Sequence, residues 1–289
     1  MIIEKCNICP HACGGTRYED KTEGSLCALP ALPKILKSHL SKNIEPGLIG
    51  SKGSGQIVFA GTVLNDSECS VFDSESDNKK SRINGKKLAQ MFLTLQKQGA
   101  ANINLINPTA FAHLIMEALR EQPLQIPVVY SSHGFDSLET LKQLDGLIDI
   151  YVPFYKYHHT QIAQKFAEAP DYPAKAQIAL LEMYRQVGGL ASNYKKGIEQ
   201  GLLIRHRVFP DFSRESIAAL HWLSHYLPEG TGLSLLTGNP YLAWGEEAKN
   251  KQPLKREFER VKTALQDLQM NVGYIQDRET GEFFYLDEI

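Results

Sequence analysis

From residue 55 onward, short apolar runs alternate with stretches of helical period. Gln56-Ile-Val-Phe-Ala60, Ile103-Asn-Leu-Ile106, Pro127-Val-Val-Tyr130, Ile148-Asp-Ile-Tyr-Val152, Leu202-Leu-Ile-Arg-His-Arg-Val208, Leu233-Ser-Leu-Leu236 and Asn271-Val-Gly-Tyr-Ile275 read as buried strands. Between the first two, Leu88, Met91, Phe92 and Leu95 recur at i, i+3, i+4 and i+7, which predicts an amphipathic helix over 84–98, capped by Asn84 and stopped by Gly99. Similar periodicity predicts helices at about 109–121, 137–144, 174–187, 214–226 and 254–268. Roughly six or seven strand-helix repeats imply a parallel sheet, because parallel neighbours need a crossover between them. The expected fold is α/β, a partial (βα)6-type parallel barrel over 51–289.

Residues 1–50 break this rhythm. They are rich in Cys, Gly and Pro with little periodicity, and the expectation is a loop-dominated lobe shaped by a ligand. Four of the five cysteines lie there, as Cys6-x2-Cys9-Pro-His-x-Cys13-x13-Cys27. Close thiol pairs on a segment without a core point to a tetrahedral metal site holding zinc or [4Fe–4S], and spacing does not separate the two.

In a parallel barrel, ligands bind where the strands end at their carboxyl sides. Those ends carry Gly61-Thr62, Asn107-Pro108, Ser131-Ser132-His133, Pro153-Phe154-Tyr155-Lys156 and Val208-Phe209-Pro210. Asn107, Lys156 and Arg205 are the candidate ligand-binding side chains. Lys156 reads equally as an anion partner or a surface lysine. Arg205 and His206 are consecutive in a strand, so only one of them faces the interior. His158 and His159 are expected on a solvated loop, Asp145 and Asp149 as turn and helix-end partners, and 67–80 as a mobile polar loop. The stretch 281–289 reads as an edge strand, with docking on a partner as the weaker alternative.

Across 289 residues, 43% are apolar and the formal net charge is −2, so a large core is available and no global basic field exists to hold a nucleic-acid backbone. No segment reaches the ~18 apolar residues of a membrane span, and the start lacks a signal-peptide pattern. A cytoplasmic location, no nucleic acid and no membrane are expected. No Walker-type loop, Gly-x-Ser-x-Gly or His-Glu-x-x-His occurs, which leaves hydrolase and nucleoside-triphosphatase readings without support.

The chain resembles the radical S-adenosylmethionine (radical SAM) superfamily, in the branch similar to pyruvate formate-lyase activating enzyme. The resemblance rests on Cys6-x2-Cys9-Pro-x2-Cys13-Gly, Glu45-Pro46, Gly50-Ser-x-Gly-Ser-Gly55, Asn102-Ile-Asn-Leu, Pro108-Thr109, Asp145-Gly146, Asp149-Ile-Tyr-x-Pro153, Lys156-Tyr157, Asp171-Tyr172, Arg185-Gln-Val-Gly188 and Gly201-Leu-Leu-Ile-Arg-His206. It implies a [4Fe–4S] cluster held by a Cys-x3-Cys-x2-Cys loop after the first barrel strand, with S-adenosylmethionine on the open iron and cleaved to a deoxyadenosyl radical.

At the three loop positions the chain has Thr62, Asp66 and Cys69. The family's Tyr-x-Pro-Asp-Phe-Lys-Tyr reads Tyr151-Val-Pro153-Phe154-Tyr155-Lys156-Tyr157, and its Thr-His pair reads Thr109-Ala110. With one thiol in three, the loop is expected to be solvated and without a cluster. The functional expectation is a radical SAM-like pseudoenzyme that binds a protein partner or small ligand at the old cleft. The alternative is an active enzyme, of the glycyl-radical activase kind, with an atypically held cluster and S-adenosylmethionine. A zinc-stabilised structural subunit is a third possibility.

Overall fold

The computed structural model describes residues 1–66, 81–191, 193–238 and 253–289. Its centre is a nine-stranded sheet. β3 (Ile35–Ser41) pairs antiparallel with β4 (Ser54–Phe59). Six more parallel strands follow in chain order, β5 (Ile103–Ile106), β6 (Val128–Ser131), β7 (Ile150–Tyr151), β8 (Gly201–Arg207), β9 (Gly232–Leu236) and β10 (Gly273–Gln276), and β11 (Phe283–Tyr285) closes the far edge antiparallel. The small hairpin β1 (Thr16–Arg17) and β2 (Thr22–Glu23) stands apart.

The helices are α1 (Gly85–Lys97), α2 (Ala112–Glu121), α3 (Leu138–Leu144), α4 (Thr160–Ala167), α5 (Tyr172–Val187), α6 (Ser213–Tyr226) and α7 (Lys255–Asp267). Asn84 caps α1, its side chain accepting from Lys87 N at 3.0 Å. A strand order that never reverses puts every crossover on the same side of the sheet. The apolar faces of these helices join Ile57, Phe59, Ile103, Leu105, Val128, Tyr130, Leu202 and Ile204 in one large core.

The opposite face has its own cluster, in which Val129, Ile150, Leu203 and Tyr274 meet Ile44, Leu48, Leu190, Tyr194 and Ile198 from the segments just before β4 and β8. These segments plug the amino-terminal end of the sheet. The opposite end, at the strands' carboxyl termini, remains for polar chemistry, as in a partial barrel.

The α/β architecture with a mostly parallel sheet matches expectation, as does the C-terminal edge strand, and two elements are additions. Residues 1–50 are not loop-dominated throughout, since Ile35–Ser41 is an edge strand on the main sheet, N-terminal to the expected boundary. Its signal is weak because Lys37 and His39 interrupt the apolar run. Helix α4 is not among the expected elements: its apolar stripe of Ile162, Ala163, Phe166 and Ala167 packs on the core but spans only eight residues, too few for a sustained helical period. The C-terminal Phe283–Tyr285 pairs with β10 as an edge strand. The stretch 67–80, expected to be a mobile loop, lies outside the described residues. Among the described residues no helix is long and apolar enough to cross a membrane.

Candidate functional site

After β4 the chain turns at Gly61, whose φ of +79° suits glycine. A side chain there would also collide with Leu29 of the Cys-rich lobe. Asn107, at the end of β5, is left-handed as well, with φ 59°, and its amide donates to Gly61 O. Asparagine tolerates this conformation, and here it pins two strand ends together. Thr62 closes on its own loop, its hydroxyl donating to Leu64 O at 3.3 Å and accepting from Leu64 N at 3.2 Å.

Asp66 is buried, contrary to the expected solvated loop. Its Oδ2 accepts from Lys156 Nζ at 2.8 Å and from Tyr157 OH at 2.7 Å, and the side chains of the ion pair are 1% and 2% exposed. Burial opposes ionisation of Asp66, yet the Lys156 charge and the two donors outweigh it and hold the carboxyl below its ordinary range. Lys156 is therefore no surface lysine. It is fixed by its backbone N–H, which donates to Tyr172 OH at 2.9 Å, and its ammonium lies 5.5 Å from the centre of the Phe154 ring.

Arg205 takes the interior face. Its guanidinium grips Glu45 in two hydrogen bonds of 2.7 and 2.6 Å, both side chains being fully buried, and it lies 5.8 Å from the same Phe154 ring. Burial disfavours the Glu45 carboxylate, and Arg205 overcomes this and keeps it ionised. His206 points to the helix side, its Nδ1 2.6 Å from Tyr155 O. Of the predicted ligand set, the fold brings Asp66 to Lys156, Asn107 to the turn before Thr62, and Arg205 to the other side of Phe154. Cys69 lies outside the described residues.

Further side chains at and around the mouth include His133, which lies at an expected strand end, and Arg207 and Asp136, which sequence reasoning did not single out. Burial, reinforced by the Lys156 charge, lowers His133 to about 3, so its imidazole is neutral. Gly134 follows it at φ +74°, where a Cβ would lie 1.9 Å from Phe154 O. Arg207, on the Arg205 face by alternation, is lowered to about 10 by burial and lies 5.2 Å from the Phe209 ring centre. Asp136 is buried among Thr109 Oγ1 at 2.7 Å, Tyr130 OH at 3.2 Å and Ser132 Oγ, and burial raises its pKa. His158 and His159 are not merely solvated, because their backbone N–H groups and the His159 ring hold Glu215 of α6. Asp149 caps β6 by accepting from Val128 N at 2.8 Å, and Asp145 pairs with Arg185.

The Cys-rich lobe packs beside this mouth. Cys9 joins the main core, His11 Nε2 lies 2.8 Å from Val63 O, and Thr140 donates to Ile8 O at 2.8 Å. Cys6, Cys9, Cys13 and Cys27 are all free thiols, the first two buried. Burial pushes the Cys9 thiol up to about 12. Cys13 is also opposed by burial, but backbone N–H groups of Gly15 and Leu26 aimed at its sulfur bring it below its ordinary value. Among the described residues no group of three or more His, Cys, Asp or Glu is closed to a metal-holding geometry. Backbone N–H groups are nonetheless directed at the sulfurs of Cys9 and Cys13.

No family model matches the chain. It is 23% identical, over 185 residues, to an uncharacterized protein of Methanocaldococcus jannaschii, MJ0674, covering 59% of this chain and 51% of the relative, so it spans about half of that relative's length. Similar solved structures include a radical SAM methyltransferase from Sphaerobacter thermophilus (TM-score 0.49, 9% identity, 88% of this chain and 82% of that one). They also include Streptococcus suis SuiB, alone (TM-score 0.46, 11% identity, 75% and 47%) and bound to precursor peptide SuiA (TM-score 0.47, 12% identity, 75% and 46%).

Proposed function

We propose that this chain is a divergent radical SAM-like protein whose N-terminal cysteines hold one metal centre and whose barrel-mouth loop no longer builds a catalytic cluster. Its cleft serves to bind a protein partner or a small ligand. The observation that carries this reading is the burial of Asp66 between Lys156 and Tyr157. A carboxylate already neutralised by a lysine is not a donor awaiting iron, and the Thr62 hydroxyl is closed on its own backbone. These two residues do not fit a cluster, and no radical step follows from them. S-adenosylmethionine has no cluster iron to chelate on this reading.

The donor chemistry of the other site does fit. Cys6, Cys9, Cys13 and Cys27 are free thiols within one short segment, and Cys9 and Cys13 have sulfur-directed N–H groups, a donor set suited to a thiolate cage. Zinc there would act structurally, tying 1–30 to the barrel, and a [4Fe–4S] cluster would do the same with added redox capacity.

Metal and sulfide counts on anaerobically purified protein test this, together with incubation with S-adenosylmethionine and a strong reductant. One metal centre and no 5′-deoxyadenosine are expected. A second cluster with 5′-deoxyadenosine formation would establish the active radical SAM enzyme instead, with Cys69 and outside donors holding the cluster.

A further inference from the structure

Arg17, at the end of β1, is 1% exposed. Its Nε donates to Leu29 O at 2.7 Å, Nη2 to Pro30 O at 2.8 Å and Nη1 to Ala110 O at 2.7 Å, while Nη1 lies 3.9 Å from Cys6 Sγ. The Phe111 ring covers it, its centre 5.5 Å from the guanidinium carbon. No carboxylate forms an ion pair with it among the described residues.

A guanidinium does not give up its proton inside a protein, and burying its charge is costly without a counter-charge. Three carbonyl oxygens solvate it without neutralising it. A group able to carry negative charge, the sulfur of Cys6, lies at the edge of hydrogen-bonding distance. Two other buried cations, Lys156 and Arg205, have a carboxylate each.

We infer that Arg17 is the built-in counter-cation of an anionic four-thiolate centre made by Cys6, Cys9, Cys13 and Cys27. A divalent ion among four thiolates leaves a net double negative charge, and so does an oxidised [4Fe–4S] cube with four thiolates. Arg17 is a positioning residue for that centre. Through Ala110 it also fixes the lobe to the segment between β5 and α2. The inference rests on the cage reading above.

Zinc affinity, measured by competition with a chromophoric chelator, and thermal unfolding of stripped and loaded protein test it on wild type, Arg17→Gln and Arg17→Lys. Arg17→Gln should bind zinc about 10–100-fold more weakly, the range for losing a residue that supports metal ligands, and the gap in Tm between loaded and stripped forms should narrow. Arg17→Lys, which keeps the charge, should hold most of the affinity. Equal zinc affinity in wild type and Arg17→Gln overturns the inference, as does a loss in Arg17→Lys as large as in Arg17→Gln, which would assign the effect to hydrogen bonding alone. Should Arg17→Gln fail to fold, Arg17→Lys against wild type decides, with zinc affinity within about 10-fold expected and a larger loss overturning the inference. A wild type that takes up no metal refutes the cage reading itself, a distinct result.

Discussion

Two polar sites lie side by side on this molecule, and they are balanced in opposite ways. At the barrel mouth, Asp66 and Lys156 neutralise each other in burial, with Tyr157 completing the carboxylate. In the Cys-rich lobe, four free thiols lie on one short segment and a buried arginine is met by carbonyls, a sulfur and the Phe111 ring, with no carboxylate paired to it among the described residues. A site that satisfies itself needs no cofactor, whereas one that gathers like charges around an unpaired cation is incomplete without a positive centre among its sulfurs. The loop where the family resemblance would place a cluster is thus the self-contained one, and the Cys-rich lobe is the one we propose holds metal.

The sharpest way to break that contrast is to remove the metal. Replacing Cys9 and Cys27 with serine should abolish metal uptake and cost most of the lobe's stability, since structural zinc sites are worth about 10 kcal/mol or more of binding free energy. Elemental analysis and thermal unfolding read both effects, and unchanged Tm would erase the distinction between the sites.

Next in size is the mouth pair. Asp66→Asn removes the carboxylate that pairs with buried Lys156 and should destabilise the fold by about 3–5 kcal/mol. The double variant Asp66→Leu with Lys156→Met should recover a large part of this in denaturant unfolding. Equal losses for single and double variants would show that Asp66 does more than neutralise the lysine.

A pH profile sharpens the same point. In the unfolded chain His133 takes a proton near pH 6.5, and in the fold only near 3, so the unfolded state binds more protons between those values. Stability should therefore fall as pH drops below about 6.5, at up to about 1.4 kcal/mol per unit from this group. Asp66, with its folded pKa lowered, contributes above its unfolded value and loses that contribution only at lower pH. His133→Gln should flatten the profile between about pH 6 and 4. An unchanged slope would remove His133 from the account.

The smallest effect concerns the left-handed corner at Asn107. Asn107→Gly keeps the backbone but loses the bond to Gly61 O, and should cost about 1 kcal/mol. Asn107→Val adds strain and should cost about 1–3 kcal/mol more.

Part of this site was legible in the chain. The strand ends that carry Gly61, Asn107, His133, Lys156 and Val208 follow from periodicity, because a parallel barrel places its strand ends on one side. Alternation announced that Arg205 and His206 would diverge. It did not say which would turn inward, nor that Glu45, 160 positions away, would be waiting. Nor did pattern distinguish a buried Asp66 from a solvated one, since an acidic residue in a polar stretch has the same local signature either way.

The sequence by itself determined the alternation of strand and helix, the parallel sheet and the gathering of sulfur at one end, because these depend on side-chain period and residue chemistry within a few positions. Only tertiary structure decided which charges meet. Lys156 reaches Asp66 across 90 positions and Arg17 reaches Ala110 across 93. The physical reason is that burial sets the strength and sign of an electrostatic demand, and burial belongs to the packed whole rather than to any stretch of the chain.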